Sequence, residues 1–282
     1  MKKVIVPVDF SEISKHAMNF AAEFCELIDG EILLLYVLEF PISQFSITKE
    51  ANRQAMENFY TTKFIDSIQA DLTSWEKALS EKGVKVRAEL KYGNPFKKIT
   101  RTIAEEEADY IVMGSKGVSG LKEFLLGSNA ARMIRFAQCP VIIIKEETHV
   151  SEFNNVVLAT DGTIEQDEIA QKAKALQSTL GNQLHLVKIK TPYNWLEDVQ
   201  INQQLKNFAE RNHLENFTAS IENADFVDDG AVAFAEKKAS GLIIIGTHGR
   251  TGLSHLLGGS TAETLVNESK IPVMVFKLDE SH

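Results

Sequence analysis

The chain has 282 residues, the length of two ordinary domains or one large one. Hydrophobic residues make up 44% and charged residues 24%, which excludes a disordered chain. The net charge of -9 repels phosphate backbones and anionic headgroups at long range, so neither nucleic acid nor a membrane is expected as a partner of the whole surface.

The apolar run behind Met1-Lys2-Lys3 stops at Pro7 and Asp9, too short for a signal segment. No stretch approaches the roughly 18 apolar residues that span a bilayer, so the expected location is cytoplasmic. The two cysteines, Cys25 and Cys139, have no metal or disulfide spacing and read as reduced packing thiols.

In chain order, Val4–Val8 is a continuous apolar run that suits a strand buried on both faces. Ser11 offers an N-cap, Ile13, Ala17, Phe20, Ala21 and Phe24 follow at helical spacing, and Asp29-Gly30 closes the helix. Ile32–Leu38 is a second strand. Phe64, Ile68, Leu72, Trp75 and Leu79 mark an amphipathic helix. Val84–Leu90 is a third strand, Phe96–Glu106 a helix and Tyr110–Met113 a fourth strand. A glycine-rich loop, Gly114–Gly127, leads to a helix from about Ser128 and a strand over Val141–Ile144. The second half repeats this order, with strands over Val156–Ala159, Leu184–Ile189, Phe217–Glu222, Leu242–Ile245 and Val273–Phe276. Strands alternating with helices predict a parallel sheet covered on both faces.

The halves are copies. Gly114, Gly117, Gly120, Leu121, Leu125, Gly127, Ser128, Ala130, Pro140, Val141 and Lys145 recur without a gap at an offset of 132 residues (114 to 246, 127 to 259, 145 to 277). The starts also match, Asp9 with Asp161, at an offset of 152. The second copy is therefore 20 residues shorter, and the loss falls after its second strand. The expected domains are 1–146 and 155–280, joined by a polar linker over Glu146–Asn155.

The recurring element reads Gly114-x2-Gly117-x9-Gly127-Ser128 and Gly246-x2-Gly249-x9-Gly259-Ser260. Each lies between a strand and a helix, where backbone N–H groups can approach an anion and the helix dipole favours negative charge. The alternative is a tight strand-to-helix connection that needs glycine for its turn. Neither loop is followed by Lys-Ser or Lys-Thr at Walker A spacing, and the first strand lacks G-x-G-x-x-G.

These loops, the start Val-Pro-Val-Asp-Phe-Ser and the closing Cys-Pro-Val-Ile-Ile-Ile-Lys resemble the universal stress protein family in its tandem, ATP-binding form. The resemblance implies two Rossmann-like α/β domains, each an open five-stranded parallel sheet with helices on both faces and a ligand between strands one and four. It implies ATP, or ADP or AMP, as cofactor, with magnesium as a candidate companion. Pro7 and Val37 match the adenine pocket, and Asp9 the adenine and ribose end. Met113 matches the residue before the loop. Gly114, Gly117, Gly127, Ser128 and Asn129 match ribose and phosphate contacts. In the second copy Asp161, Ile245, Gly246, Gly249, Gly259, Ser260 and Thr261 remain, while Ala159 stands for Pro7 and Lys188 for Val37. Gly93-Asn94-Pro95, part of the pocket rim, gives way to Asp225-Phe226-Val227. The expectation is one well-formed site and a second with an altered adenine half. The last strands of such domains pair as dimers, which a tandem chain can satisfy internally as a pseudo-dimer or extend by recruiting a second chain into a homodimer.

Asp9 and Asp161 have two readings, metal or ribose ligand and helix-capping turn residue. Lys116, His248 and Arg250 lie in the loops as phosphate partners or exposed side chains. Trp75 and Trp195 read as core or interface anchors. No Ser-His-Asp or Cys-His set is visible, so no catalytic residue is assigned. The function expected is a nucleotide-dependent regulator. The alternatives are a slow magnesium-dependent ATP hydrolase and a scaffold with vestigial sites.

Overall fold

The computed structural model describes residues 1–39, 51–116, 126–248 and 261–278, with the backbone alone over 51–61. The first half runs β1 (Lys2–Val8), α1 (Glu12–Ile28), β2 (Gly30–Leu38), α2 (Ala51–Glu81), β3 (Val86–Tyr92), α3 (Pro95–Glu106), β4 (Tyr110–Gly114), α4 (Ser128–Phe136) and β5 (Val141–Ile144). The second half runs β6 (Asn155–Ala159), α5 (Asp167–Leu180), β7 (Gln183–Lys190), α6 (Asp198–Arg211), β8 (Phe217–Asn223), α7 (Val227–Lys237), β9 (Leu242–His248), α8 (Thr261–Glu268) and β10 (Val273–Leu278).

Side chains alternate across each strand. In β1, Val4, Val6 and Val8 face one layer and Ile5 the other. The first layer holds α1, α2, α5 and α6, and the second holds α3, α4, α7 and α8. Parallel strands buried on both faces explain why the runs Val4–Val8 and Ile142–Ile144 carry no polar alternation.

The strands form one ten-stranded sheet in the order β3-β2-β1-β4-β5-β10-β9-β6-β7-β8. Pairing within each half is parallel. The halves meet where β5 and β10 pair antiparallel, Ile142 opposite Met274. The two last strands thus satisfy each other's edges inside one chain.

Local signals act as expected in α1. The Ser11 hydroxyl accepts from the Ser14 N–H at 3.2 Å, and Asp29 takes a left-handed C-cap at φ 49. In α2, Ile68, Leu72 and Leu79 are buried and Trp75 packs against them, but Phe64 is exposed. The third strand begins at Val86 rather than Val84. The Val84 N–H is still closing the end of α2 onto the Leu79 carbonyl at 3.2 Å. Trp195 is 65% exposed with the Lys190 ammonium over its ring, so it is no core anchor. Burial pushes both thiols up to about 12, consistent with Cys25 and Cys139 as packing groups.

Candidate functional site

In a sheet of this order the winding direction reverses between β1 and β4, and that is where an open crevice forms at the carboxyl ends of the strands. A cavity of about 340 Å³ occupies this point in the first half. Pro7 and Asp9 reach it from the end of β1, Val37 from β2, Met113 and Gly114 from β4, and Gly127, Ser128 and Asn129 from the start of α4. Every described residue expected in the first site therefore lines one cavity. Gly117 lies outside the described residues.

One wall is apolar, formed by Pro7, Leu35, Val37, Ile99 and Met113. The opposite wall is the N-terminus of α4, whose cap is Gly127 at φ -63 and ψ 147. Because Gly127 is the cap, the Ser128 hydroxyl is not spent on capping; its side chain is exposed at the cavity. The first N–H groups of α4 have no intrahelical acceptor, and a negative charge at such an end gains about 0.3–1 kcal/mol at an exposed position.

The chain returns to α4 by one backbone closure, the Gly127 N–H donating to the Ser115 carbonyl at 2.7 Å. Ser115 itself donates to the Ile144 carbonyl at 2.9 Å, tying the loop's first residue to β5. Pro95 of the expected pocket rim lines the cavity, and so do Ser115, Tyr36 and Ser14, which no motif marks. For Ser115 a signal existed, since Thr247 repeats a hydroxyl at the same offset.

Gly114 has a packing reason of its own. A Cβ there would lie 2.7 Å from Ile13 Cγ2, and one at Gly246 would lie 2.6 Å from Ile169 Cδ1. The first glycine of each loop thus lets α1 or α5 cross close over the strand end, independent of any anion.

Asp9 holds both of its expected roles in reach. Its carboxylate accepts from the Ser11 N–H at 3.0 Å, organising the turn into α1, and it lines the cavity. Asp161 accepts from the Thr163 N–H at 3.1 Å in the corresponding turn. Lys116 also lines the cavity.

The second half differs where register decides. Pro7 pairs with Leu35, and Ala159 with Val187. Counting on from those pairs, Tyr36 corresponds to Lys188 and Val37 to Ile189. Lys188 therefore does not replace Val37; a one-residue slip moves a side chain to the other face of the sheet. Ile189 lies with the layer that also holds Val37, so the apolar wall persists there. Ile245 is buried, Thr261 opens α8, and β9 continues past Gly246 to His248, paired with Phe276–Leu278. Gly249, Arg250, Gly259 and Ser260 lie outside the described residues. Burial lowers the Lys188 pKa, and the Asp161 carboxylate opposes that fall.

Fold and cleft together define a tandem α/β protein with an open crevice at the switch point of its sheet. Residues 1–145 and 152–277 each match the Universal stress protein family, and the chain belongs to that family. It is 35% identical over 150 residues to Universal stress protein MJ0531 of Methanocaldococcus jannaschii, covering 51% of this chain and 82% of that protein. A universal stress protein of Mycolicibacterium smegmatis is 23% identical over 301 residues, covering 97% of this chain and 96% of its own. The crystal structure of a universal stress protein from Archaeoglobus fulgidus aligns at a TM-score of 0.76 and 22% identity over 98% of both chains, which establishes a shared tandem fold. No helix among the described residues is long and apolar enough to cross a membrane.

Proposed function

We propose that the first-half cleft binds an adenine nucleotide, and that occupancy makes the chain a nucleotide-dependent regulator of a stress response. The observation that carries this is a cavity that brings apolar side chains together with the N-terminus of α4. Its volume of about 340 Å³ falls within the range of small-molecule sites. A planar base fits between Pro7, Val37 and Met113, and phosphates fit against the N–H groups of Ser128 and Asn129, with Lys116 as a counter-charge. Asp9 serves the ribose. Magnesium, where present, would enter with the phosphates, and Asp9 is the carboxylate that lines the cavity. Domains 1–146 and 155–280 each form one such module, and Asp161, Ile189, Ile245, Gly246 and Thr261 form the counterpart cleft.

A slow magnesium-dependent hydrolase is the second reading, favoured by Asp9 within the cavity. Its carboxylate already accepts from Ser11, which suits a fixed turn better than a mobile base.

Titration calorimetry with ATP, ADP and AMP tests the reading. Wild type should bind with micromolar or tighter affinity, and Val37→Glu, which sets a carboxylate in the apolar wall, should abolish it. Heatless titrations of wild type with all three nucleotides would refute nucleotide binding. Phosphate release that disappears in Asp9→Asn would favour the hydrolase.

A further inference from the structure

The chain just ahead of α4 is held from the other half of the molecule. Leu126 immediately precedes Gly127, and its N–H donates to the Asn267 side-chain oxygen at 2.8 Å. Asn267 stands in the last turn of α8, which starts at Thr261 directly after the second glycine-rich loop. Its own carbonyl accepts from the Lys145 ammonium at 2.6 Å. Lys145 follows β5, and Ile144 at the end of β5 accepts the Ser115 N–H. Ser115 is thus tied to Ile144, the residue before Lys145, and Leu126 to Asn267, which Lys145 also holds. Burial together with the charge of Lys116 draws the Lys145 pKa to about 8, which places this ammonium within the field of a cavity-lining residue.

The arrangement has a counterpart. Arg135 occupies in α4 the position that Asn267 occupies in α8, by the offset of 132. Its guanidinium grips the Glu263 carboxylate in the first turn of α8 through two hydrogen bonds, one of them at 2.8 Å. Each loop helix therefore ends on a residue that holds the beginning of the other. From Thr261 to Asn267 is about 9 Å of helix at 1.5 Å per residue, so one short rigid element spans from the second loop to the first.

We infer that Asn267 is a positioning residue for the first cleft, supplied by the second half, and that it couples nucleotide binding in the first site to the placement of α8. It does not line the cavity; it acts by holding Leu126, and through it the N–H groups of Ser128 and Asn129, in place before a phosphate arrives. Preorganised donors cost nothing to order on binding. By linkage, whatever shifts α8 shifts the affinity of the first site, and a ligand in the first site steadies α8 in turn.

This rests on nucleotide binding in the first cleft, so the experiment has two independent arms on the full chain. Amide hydrogen exchange of ligand-free protein follows Leu126 and Gly127 in wild type, Asn267→Ala and Asn267→Asp. ATP titration follows the same three proteins. Asn267→Ala should speed Leu126 exchange while β1 and β4 keep wild-type protection, and should weaken ATP about fivefold, the factor of one neutral hydrogen bond. Asn267→Asp keeps an acceptor and should restore both. Unchanged Leu126 exchange in Asn267→Ala would overturn the clamp. Faster exchange with ATP affinity unchanged would overturn the coupling. A wild type that binds no nucleotide would refute the function proposed above, while the exchange arm alone still decides whether Asn267 holds the loop.

Discussion

Tyr36 and Lys188 occupy the same register position in the two halves, and each feels the carboxylate that follows the adjacent strand, Asp9 for Tyr36 and Asp161 for Lys188. The consequences are opposite. Burial and the Asp9 charge both raise the Tyr36 pKa, whereas burial lowers that of Lys188 and Asp161 resists it. Tyr36 lines the first cleft as a phenol, and a lysine stands at its position in the second half.

Lys188 should therefore titrate below the ordinary lysine value. Asp161→Asn removes the opposing charge and should lower its pKa further. Carbon NMR of the lysine ε positions across pH reads this directly. Titration of Lys188 at the ordinary lysine value, unmoved in Asp161→Asn, would contradict the environment described.

The layer that joins the halves centres on aromatic rings. Phe24 is fully buried, stacks on Phe20 at 5.9 Å and meets the Tyr110 ring edge-on at 5.2 Å, while Phe20 touches Phe153 of the linker. Phe24→Ala should cost about 3–5 kcal/mol, from lost burial plus the cavity it leaves. Urea unfolding measures it, and a loss below about 1 kcal/mol would mean that the layer collapses around the gap.

Arg135 and Glu263 form the ion pair across the junction, Arg135 42% exposed and Glu263 14%. A pair so exposed on one side is worth little by Coulomb energy alone. A double-mutant cycle with Arg135→Ala and Glu263→Ala should give a coupling of about 1 kcal/mol, raised above the usual surface value by the two-pronged geometry. A coupling of zero would show that the pair contributes only to the placement of α8.

Two histidines should act on stability in opposite directions. His149 of the linker meets the Glu23 carboxylate at 2.7 Å, and that hydrogen bond raises its pKa. Its contribution is present in full below the ordinary value of about 6.5 and is lost as pH rises through the folded value. His185, between Thr218 and Asn155, is buried, and burial with the nearby Lys238 lowers its pKa. Its contribution is present above about 6.5 and is lost as pH falls through the depressed value. The gap in urea midpoint between wild type and His149→Ala should narrow with rising pH, and that for His185→Asn should narrow with falling pH. Gaps that stay constant with pH would contradict both assignments.

Much of the fold was legible because duplication checks itself. Glycines, a serine and a proline in register at a fixed offset placed both loops, and the cavity gathers the described residues named for the first site, from Pro7 to Asn129. The counterpart of Val37 was misplaced because an apolar run carries no internal marker. Leu33-Leu34-Leu35 can slide by one residue against Leu184-His185-Leu186, and only pairing with β1 and β6 sets the register. The packing need at Gly114 was hidden because Ile13 lies about a hundred residues away in the chain. Asn267 sits in no motif, and its bond to Leu126 crosses 141 residues.

The central claim is that an adenine nucleotide sits in the cleft between β1 and β4 of the first half. A crystal structure of the protein grown with ATP tests it most directly. The base should lie against Pro7, Val37 and Met113, with phosphate density at the N–H groups of Ser128 and Asn129. A cleft closed over by its own side chains at saturating ATP, or a nucleotide bound elsewhere on the chain, would contradict it.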